Sequence, residues 1–246
     1  MLKILRHKYR IDACDVDFTE YLCYNSIFKI FQELWTDFNS SIGRDNFNIR
    51  DNYSAFWIVT RYMANIYGLP KYHEVIDTEI WAVERQNLRL ILGVQAKMED
   101  RILFEGKIEA CALSLIDQHI CTLDEIEYPL ASEIVSIQSD YKCGRFTRIM
   151  KDTTADDFVY QRKIRACDID MSRHTNNLSY IPILLNAKPT SFYLSNPLKY
   201  IEIHYILQSH ECDELDIAVN DDHAGNMVFS AKNPEGNYVT KIIAKY

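Results

Sequence analysis

The stretch Ala166-Cys167-Asp168-Ile169-Asp170-Met171-Ser172 has a close counterpart near the start of the chain, Ala13-Cys14-Asp15-Val16-Asp17-Phe18-Thr19, which aligns with it without a gap. An apolar segment with helical character follows each stretch, and several strand-like segments follow that. The chain is therefore expected to contain one folding unit twice. The expected limits are residues 1–131 for the first unit, 132–157 for a connector and 158–246 for the second unit.

The second copy continues with a polar run that the first copy lacks, Arg173-His174-Thr175-Asn176-Asn177. The first copy has Tyr21 in place of His174, and Cys23 and Tyr24 in place of the two asparagines. Acids, a hydroxyl, an imidazole and two amides in so short a run are typical of the residues around a helix N-terminus. If this run makes a site, we expect it in the second copy alone.

Composition limits the function classes. With 246 residues, of which 48% are hydrophobic, the chain can bury a sizeable core. The net charge of −8 disfavours nucleic acid as a partner. No run of 18 apolar residues occurs and the N-terminus lacks the apolar core of a signal peptide, so neither membrane insertion nor secretion is expected and a cytoplasmic location is. Seven cysteines without a Cys-x-x-Cys pair indicate neither a disulfide framework nor a metal site.

The first copy reads as one helix followed by an antiparallel meander. Between Asn25 and Phe38, apolar residues recur every three or four positions, which predicts an amphipathic helix. The composition of Asn39–Arg50 predicts a loop with a turn at Gly43, and Asp117–Leu130 reads as irregular. Strands are predicted at Tyr9–Ile11, Phe56–Ile66, Val75–Val83, Leu88–Lys97 and Ile102–Leu115.

The second copy repeats this plan. A strand is predicted at Phe158–Cys167, followed by the polar run and a helix from Asn177 to about residue 187, which Pro182 limits. The remaining strands are predicted at Tyr200–Gln208, Leu215–Asn220, Asn226–Ala231 and Tyr238–Ala244. The fold class is α+β, with one helix packed on an antiparallel sheet in each unit.

The run from Asp168 to Tyr180 resembles the acyl-acyl-carrier-protein thioesterases of plants and bacteria, whose pattern is Asp-x-Asp-x-Asn-x-His-x-Asn-Asn-x-x-Tyr. In the first copy, Trp57-Ile58-Val59-Thr60-Arg61 is similar to the family's Trp-Val-Leu-x-Arg strand, and Pro70-Lys71-Tyr72 and Ser114-Leu115-Ile116-Asp117 match further segments in order. The resemblance spans nearly the whole chain. It implies two tandem hotdog units, each a long helix against a curved antiparallel sheet, that form a double hotdog.

The resemblance implies a catalytic set of Asp170, Ser172, His174 and Gln208. The family has Asn where Ser172 stands and Glu where Gln208 stands. An imidazole beside a helix N-terminus suits a general base, Asp170 could orient it, and the helix amides could hold an oxyanion. Gln208 can hold a water but cannot act as a base. If its strand continues, side-chain alternation places His204, His210 and Cys212 on the same face, as alternatives to the missing carboxylate.

The resemblance also implies a substrate-binding set of Asn176, Asn177, Trp57 and Arg61, although both asparagines equally suit helix caps. Lys142, Arg145 and Arg148 punctuate the connection between the copies, where an acidic carrier protein could dock; they also suit an ordinary solvated surface. No cofactor and no metal is implied.

The expected function is hydrolysis of fatty acyl-acyl carrier protein to free fatty acid. Two alternatives stay open: hydrolysis of acyl-coenzyme A, and a non-catalytic protein that binds acyl chains or acyl carrier protein after losing the base. The sequence leaves open the preferred chain length and whether the chain forms a homodimer.

Overall fold

A computed structural model describes residues 3–148 and 157–246 of the chain. Two compact units are formed, Met1–Gly144 and Arg145–Tyr246. Residues 149–156, in the predicted connector, lie outside the described residues. The predicted limits of the units at 131 and 158 stay predictions.

The first unit contains one long helix and an antiparallel sheet. Its helices are α1 (Tyr24–Ser41), α2 (Asn46–Tyr53) and α3 (Ala131–Ile134). Its strands are β1 (Ile4–Arg10), β2 (Ala55–Ile66), β3 (Val75–Arg85), β4 (Leu90–Met98), β5 (Arg101–Ser114) and β6 (Ile120–Cys121). The sheet order is β1-β3-β4-β5-β2, and the short β6 pairs with β5.

The second unit repeats this topology. Its helices are α4 (Asn177–Leu185) and α5 (Thr190–Ser195), and its strands are β7 (Asp157–Lys163), β8 (Tyr200–Tyr205), β9 (Glu214–Asp221), β10 (Asn226–Lys232) and β11 (Tyr238–Lys245). The sheet order is β7-β9-β10-β11-β8. In both units the order is first, third, fourth, fifth and second strand, with the main helix after the first strand. The duplication seen in the sequence is therefore a duplication of the fold, and the predicted α+β class with two hotdog units is confirmed.

The core of the first unit lies between α1 and its sheet. The predicted apolar stripe of α1 is buried, and its aromatic rings reach the sheet: Phe31 lies 6.3 Å from Phe104 and Phe28 lies 5.6 Å from Tyr62 between ring centroids. A Cβ at Gly106 would stand 2.5 Å from the Phe31 ring and 2.1 Å from the carbonyl oxygen of Met63. Only glycine lets the helix approach β5 this closely.

The main helix of the second unit is shorter, with 9 residues against 18 in α1. It buries Ile181, Ile183, Leu184 and Leu185 against the sheet. Pro182 lies inside the helix rather than at its end, in the sixth of its positions. It cannot donate to the preceding turn, and the helix ends at Leu185, two residues earlier than predicted.

Other predicted element boundaries are also wrong, among them that of β1, which covers Ile4–Arg10 and not Tyr9–Ile11. The loop Asn39–Arg50 contains the start of α2, which Asp45 caps by accepting hydrogen bonds from the amides of Phe47 and Asn48. The irregular segment Asp117–Leu130 contains β6. The strand predicted at Phe158–Cys167 ends at Lys163, and a 3-10 turn follows at Ala166–Asp168. The strand predicted at Tyr200–Gln208 ends at Tyr205, so Gln208 lies beyond the strand.

Candidate active site

The motif of the second unit folds as a tight turn centred on Asp170. Its Oδ1 atom accepts a hydrogen bond from the amide of Ser172 at 2.8 Å and another from the Ser172 hydroxyl at 2.5 Å. The Asp170 amide donates to the carbonyl oxygen of His174 at 2.9 Å, and Arg173 adopts a left-handed conformation with φ of 66°. The turn therefore fixes the backbone on both sides of His174.

The same turn occurs in the first unit. Oδ1 of Asp17 accepts the Thr19 amide at 2.8 Å and the Thr19 hydroxyl at 2.5 Å, and Glu20 has φ of 69°. The Asp17 amide donates to the carbonyl oxygen of Tyr21 at 3.2 Å. Because a turn present in both units is explained by folding, the contact between Asp170 and Ser172 has a structural role before any catalytic one. What is particular to the second unit is the imidazole at position 174.

His174 is half-buried and contacts the turn through its ring. Oγ of Ser172 lies 3.2 Å from Nδ1 of His174. A serine hydroxyl has one proton, and at 2.5 Å that proton is directed at Asp170. Nδ1 of His174 must then carry the proton of the second hydrogen bond. We call these two hydrogen bonds, from Ser172 to Asp170 and from His174 to Ser172, the relay. The relay leaves the lone pair of the imidazole on Nε2, the atom that can then accept a proton.

The first turn of α4 begins directly after the motif. The side-chain oxygen of Asn176 caps the helix by accepting the Leu178 backbone amide at 2.9 Å, and the backbone amide of Asn176 donates to the carbonyl oxygen of Asp168 at 2.7 Å. The carbonyl oxygen of Asn177 accepts the Tyr205 hydroxyl at 3.0 Å. Both asparagines therefore have structural contacts, and their role in substrate binding stays a prediction. The partial positive charge of the helix N-terminus lies two residues beyond His174.

Gln208 does not lie on a strand. The amides of Ile206 and Leu207 both donate to the carbonyl oxygen of Val239, at 2.9 and 3.1 Å, so the alternation of side chains breaks immediately after β8. Gln208 is exposed in the loop that follows. The prediction that His204, His210 and Cys212 share a strand face with it is wrong. His204 is buried beside Glu202, with Nε2 2.7 Å from Oε1.

The residue that joins this loop to the motif is Ser209, which the sequence reading missed. Ser209 is buried; its carbonyl oxygen accepts the Thr175 amide at 2.9 Å, and its hydroxyl lies 2.7 Å from the Thr175 hydroxyl and 2.6 Å from that of Tyr180. Next to it, the ring of His210 packs edge to face against His174 with centroids 4.9 Å apart. The polar composition of residues 208–213 could have indicated the end of the strand, because it is typical of a loop rather than of a continuing strand.

The acids shared by the two copies have structural partners. Asp168 accepts hydrogen bonds from the Arg162 guanidinium at 2.9 and 3.1 Å and from the Arg165 amide at 2.9 Å. In the first unit Asp15 binds the Lys29 amine at 2.8 Å. Each carboxylate ties its turn to a neighbouring element.

An open groove with a volume of about 550 Å³ lies beside α4 in the second unit. Pro182 lines it, at the position where the first unit has Lys29, the partner of Asp15. The groove is lined by Tyr160, Arg162, Asp168, Ser179, Pro182, Ile183 and Asn186.

Trp57 and Arg61 are both engaged within the first unit. Trp57 is 4% exposed, and its indole donates to the carbonyl oxygen of Arg44 at 2.8 Å. Arg61 forms an ion pair with the buried Glu109, with Nε 3.0 Å from Oε1. These contacts give Trp57 a structural role in the core and Arg61 a structural role as the partner of a buried carboxylate, and the role of both in substrate binding stays a prediction.

The three residues of the predicted docking surface, Lys142, Arg145 and Arg148, are exposed. The segment that carries them is anchored through its backbone: the Lys142 amide donates to the buried Glu105 at 3.2 Å, and the Thr147 amide donates to the buried Glu202 at 2.9 Å. Among the described residues, no group of His, Cys, Asp and Glu is arranged to hold a metal ion. No helix within the described ranges is long and apolar enough to span a membrane.

Comparison with known families settles what this arrangement belongs to. The model of the acyl-ACP thioesterase N-terminal domain matches residues 3–94, and that of the acyl-ACP thioesterase C-terminal domain matches residues 151–244. The chain belongs to the acyl-ACP thioesterase family. The family match covers both units, so the resemblance that the motifs indicated is confirmed.

Solved structures share the fold at low identity. An acyl-ACP thioesterase from Bacteroides thetaiotaomicron is 16% identical, with a TM-score of 0.88 over 99% of this chain and 97% of that one. A 12:0-ACP thioesterase from Umbellularia californica is 14% identical, with a TM-score of 0.84 over 100% of this chain and 97% of that one. A search of curated proteins found no match.

Proposed function

We propose that this protein is a thioester hydrolase that releases fatty acids from acyl carrier protein. The observation that carries the proposal is the relay from Asp170 through Ser172 to Nδ1 of His174, built in the one unit whose turn bears an imidazole. Membership of the acyl-ACP thioesterase family supports the reaction class and the carrier-bound substrate.

The chemistry begins at Nε2 of His174. As the oxygen of a water bonds to the thioester carbonyl carbon, Nε2 takes one of its protons. When the carbon–sulfur bond breaks, the electron pair leaves with sulfur and the imidazolium returns that proton to the thiolate. The other water proton leaves with the fatty acid. Ser172 and Asp170 hold the ring in one orientation and stabilise the charge that it gains.

The oxyanion needs donors that are already in place. The first-turn amides of α4 supply partial positive charge at the N-terminus, and the Asn176 cap fixes where the helix begins. The oxyanion therefore lies at that end of α4. Asn177 contributes to this oxyanion site through its backbone amide and not through its side chain.

Release of free carrier thiol from acyl carrier proteins of several chain lengths tests the proposal, with wild type, His174→Ala and Tyr21→Ala. Tyr21 is the matched control because it occupies the equivalent turn in the first unit. We expect His174→Ala to lower kcat by about 10²- to 10⁴-fold and Tyr21→Ala to retain the wild-type rate. Equal rates for wild type and His174→Ala would overturn the assignment of the base.

The same assay separates the alternatives. Turnover of acyl-coenzyme A at a higher kcat/KM than acyl carrier protein would make the protein an acyl-coenzyme A thioesterase. Binding of acyl carrier protein without turnover at any chain length would make it a non-catalytic protein that binds acyl chains or acyl carrier protein. The chain departs from the family pattern at Ser172 and Gln208, so the rate itself is informative.

The proposal extends to the carrier protein. Lys142, Arg145 and Arg148 present three positive charges on a chain whose net charge is −8, which suits an acidic partner at this segment. A cytoplasmic location and a homodimer stay predictions.

A further inference from the structure

Two imidazole rings meet at the motif, although the family pattern provides one. The ring of His210 packs against that of His174 with centroids 4.9 Å apart and planes inclined at 63°. His174 is half-buried, whereas the side chain of His210 is 60% exposed. Position 208, where the family has a carboxylate, is exposed in the loop that also carries His210. The side chain that the fold brings to His174 is therefore His210.

The backbone holds His210 in place on both sides. Before it, the carbonyl oxygen of Ser209 accepts the Thr175 amide at 2.9 Å. After it, the Cys212 amide donates to the carbonyl oxygen of Ile164 at 3.0 Å, and the Ile164 amide donates to that of Asp213 at 2.8 Å. An exposed histidine on an untethered loop would make no lasting ring contact; these three hydrogen bonds fix the loop to the motif and to the end of β7.

A carboxylate lies close to the His210 ring. Oδ2 of Asp213 accepts the His210 amide at 2.8 Å and lies 3.8 Å from Nδ1 of the same residue. The Asp213 amide in turn donates to the His210 carbonyl oxygen at 3.1 Å. At 3.8 Å the carboxylate acts on the ring through its charge and not through a direct hydrogen bond. A negative charge on that side favours the tautomer with the proton on Nδ1 and the lone pair on Nε2. His210 and Asp213 thus form a second imidazole–acid pair beside the first.

We propose that His210, oriented by Asp213, replaces the missing family carboxylate and holds the attacking water together with His174. The proposal rests on the proposed thioesterase function. Nε2 of His174 takes one water proton as the carbon–oxygen bond forms and returns it to sulfur as the carbon–sulfur bond breaks. Nε2 of His210 accepts a hydrogen bond from the other O–H, which directs the water oxygen at the carbonyl carbon. That second proton leaves with the carboxylic acid product.

Steady-state hydrolysis of acyl carrier protein by His210→Ala tests this role. We expect kcat to fall by about 10- to 100-fold with KM within about twofold of wild type, because the water and not the substrate loses its partner. Added imidazole should restore part of the lost kcat, which a merely structural residue would not show. The matched control is His223→Ala, since the side chain of His223 is 86% exposed and its Nδ1 lies 3.6 Å from Asp221.

A second variant guards against a folding artefact. Asp213→Asn keeps an oxygen for the His210 amide but removes the charge beside Nδ1, and we expect kcat to fall by about three- to tenfold with an unchanged thermal unfolding midpoint. In the His210→Ala background, Gln208→Glu should not recover kcat. Recovery would mean that position 208 reaches the water after all, and would overturn the role of His210.

The outcomes separate this inference from the function that it rests on. Wild-type turnover with an unchanged kcat in His210→Ala overturns the inference alone. Absence of turnover by wild type overturns the proposed function and the role of His210 with it. A fall in kcat that imidazole reverses, beside a normal His223→Ala, supports both.

Discussion

Oγ of Ser172 lies 3.2 Å from Nδ1 of His174. The same hydroxyl donates to Asp170 at 2.5 Å. Because the Asp170 carboxylate holds this hydroxyl in place, the hydroxyl in turn fixes the orientation of the His174 ring. The family pattern has Asn at this position, whose side chain also both donates and accepts hydrogen bonds. Serine can therefore carry out the orienting part of that role with one hydroxyl.

Ser172→Ala should lower kcat by about 10- to 100-fold, because the ring of His174 loses the partner that fixes the proton on Nδ1. Ser172→Thr should retain more activity than Ser172→Ala, since Thr19 makes the same two hydrogen bonds in the equivalent turn of the first unit. Steady-state kinetics on acyl carrier protein compares the two. Equal losses in both variants would show that the hydroxyl does not orient the base.

Asn176→Ala should lower the free energy of unfolding of the second unit by about 1 kcal/mol, because the Leu178 amide loses its cap. Asn176→Asp should keep most of the stability, since a carboxylate caps a helix equally well. Urea denaturation measures both. A normal stability with a raised KM in Asn176→Ala would instead assign Asn176 to the substrate.

The sequence alone predicted the features that depend on pattern. The apolar stripe of α1 and the gapless repeat around Asp15 and Asp168 predicted a helix on a sheet, made twice, and both copies have the same strand order. These predictions succeed because burial of one face requires a regular spacing of apolar residues. Helix α2 was missed because its sequence is largely polar and its start depends on a single cap, Asp45.

The candidate site was predictable only in part. His174 and Asp170 lie close together in sequence, so the motif placed them in one turn. The contact between His174 and His210 depends instead on where β8 ends. The strand ends where the amides of Ile206 and Leu207 both donate to the carbonyl oxygen of Val239. A break in alternation of one residue changes which side chain faces the site, and no periodicity in the sequence indicates it.

Replacement of Lys142, Arg145 and Arg148 by Glu should raise KM for acyl carrier protein by about tenfold or more, because an acidic partner would meet negative charge. The salt dependence of kcat/KM should also weaken. KM for a small acyl-pantetheine substrate should not change, since it lacks the acidic protein. Initial rates at several salt concentrations measure all three effects.

A control for this charge reversal uses three exposed basic residues of the first unit that lie outside the segment 142–148. The control variant carries Glu at Arg50, Lys71 and Arg89. It has the same net charge as the test variant, so a similar rise in KM in both would assign the effect to overall charge and not to a docking surface.

Glu202 is fully buried on β8, where its carboxylate accepts the Thr147 amide at 2.9 Å and lies 2.7 Å from Nε2 of His204. The Tyr200 hydroxyl also donates to it. Burial alone would raise the pKa of Glu202, but the adjacent imidazole of His204 and the hydrogen bonds from Tyr200 and Thr147 outweigh burial and hold the pKa below its ordinary value.

A pKa that is lower in the folded than in the unfolded protein stabilises the fold above the unfolded value, about 4.3 for Glu, and the contribution disappears as the pH falls through the folded value. Urea denaturation should therefore show wild-type stability falling below about pH 5 more steeply than that of Glu202→Gln. At neutral pH the variant should be less stable by about 1–3 kcal/mol, because an amide presents a donor to groups that already donate. Glu214→Gln is the control, since that carboxylate is exposed and lies 3.8 Å from Lys163. A slope in Glu202→Gln equal to that of wild type would show that Glu202 is not the group that titrates.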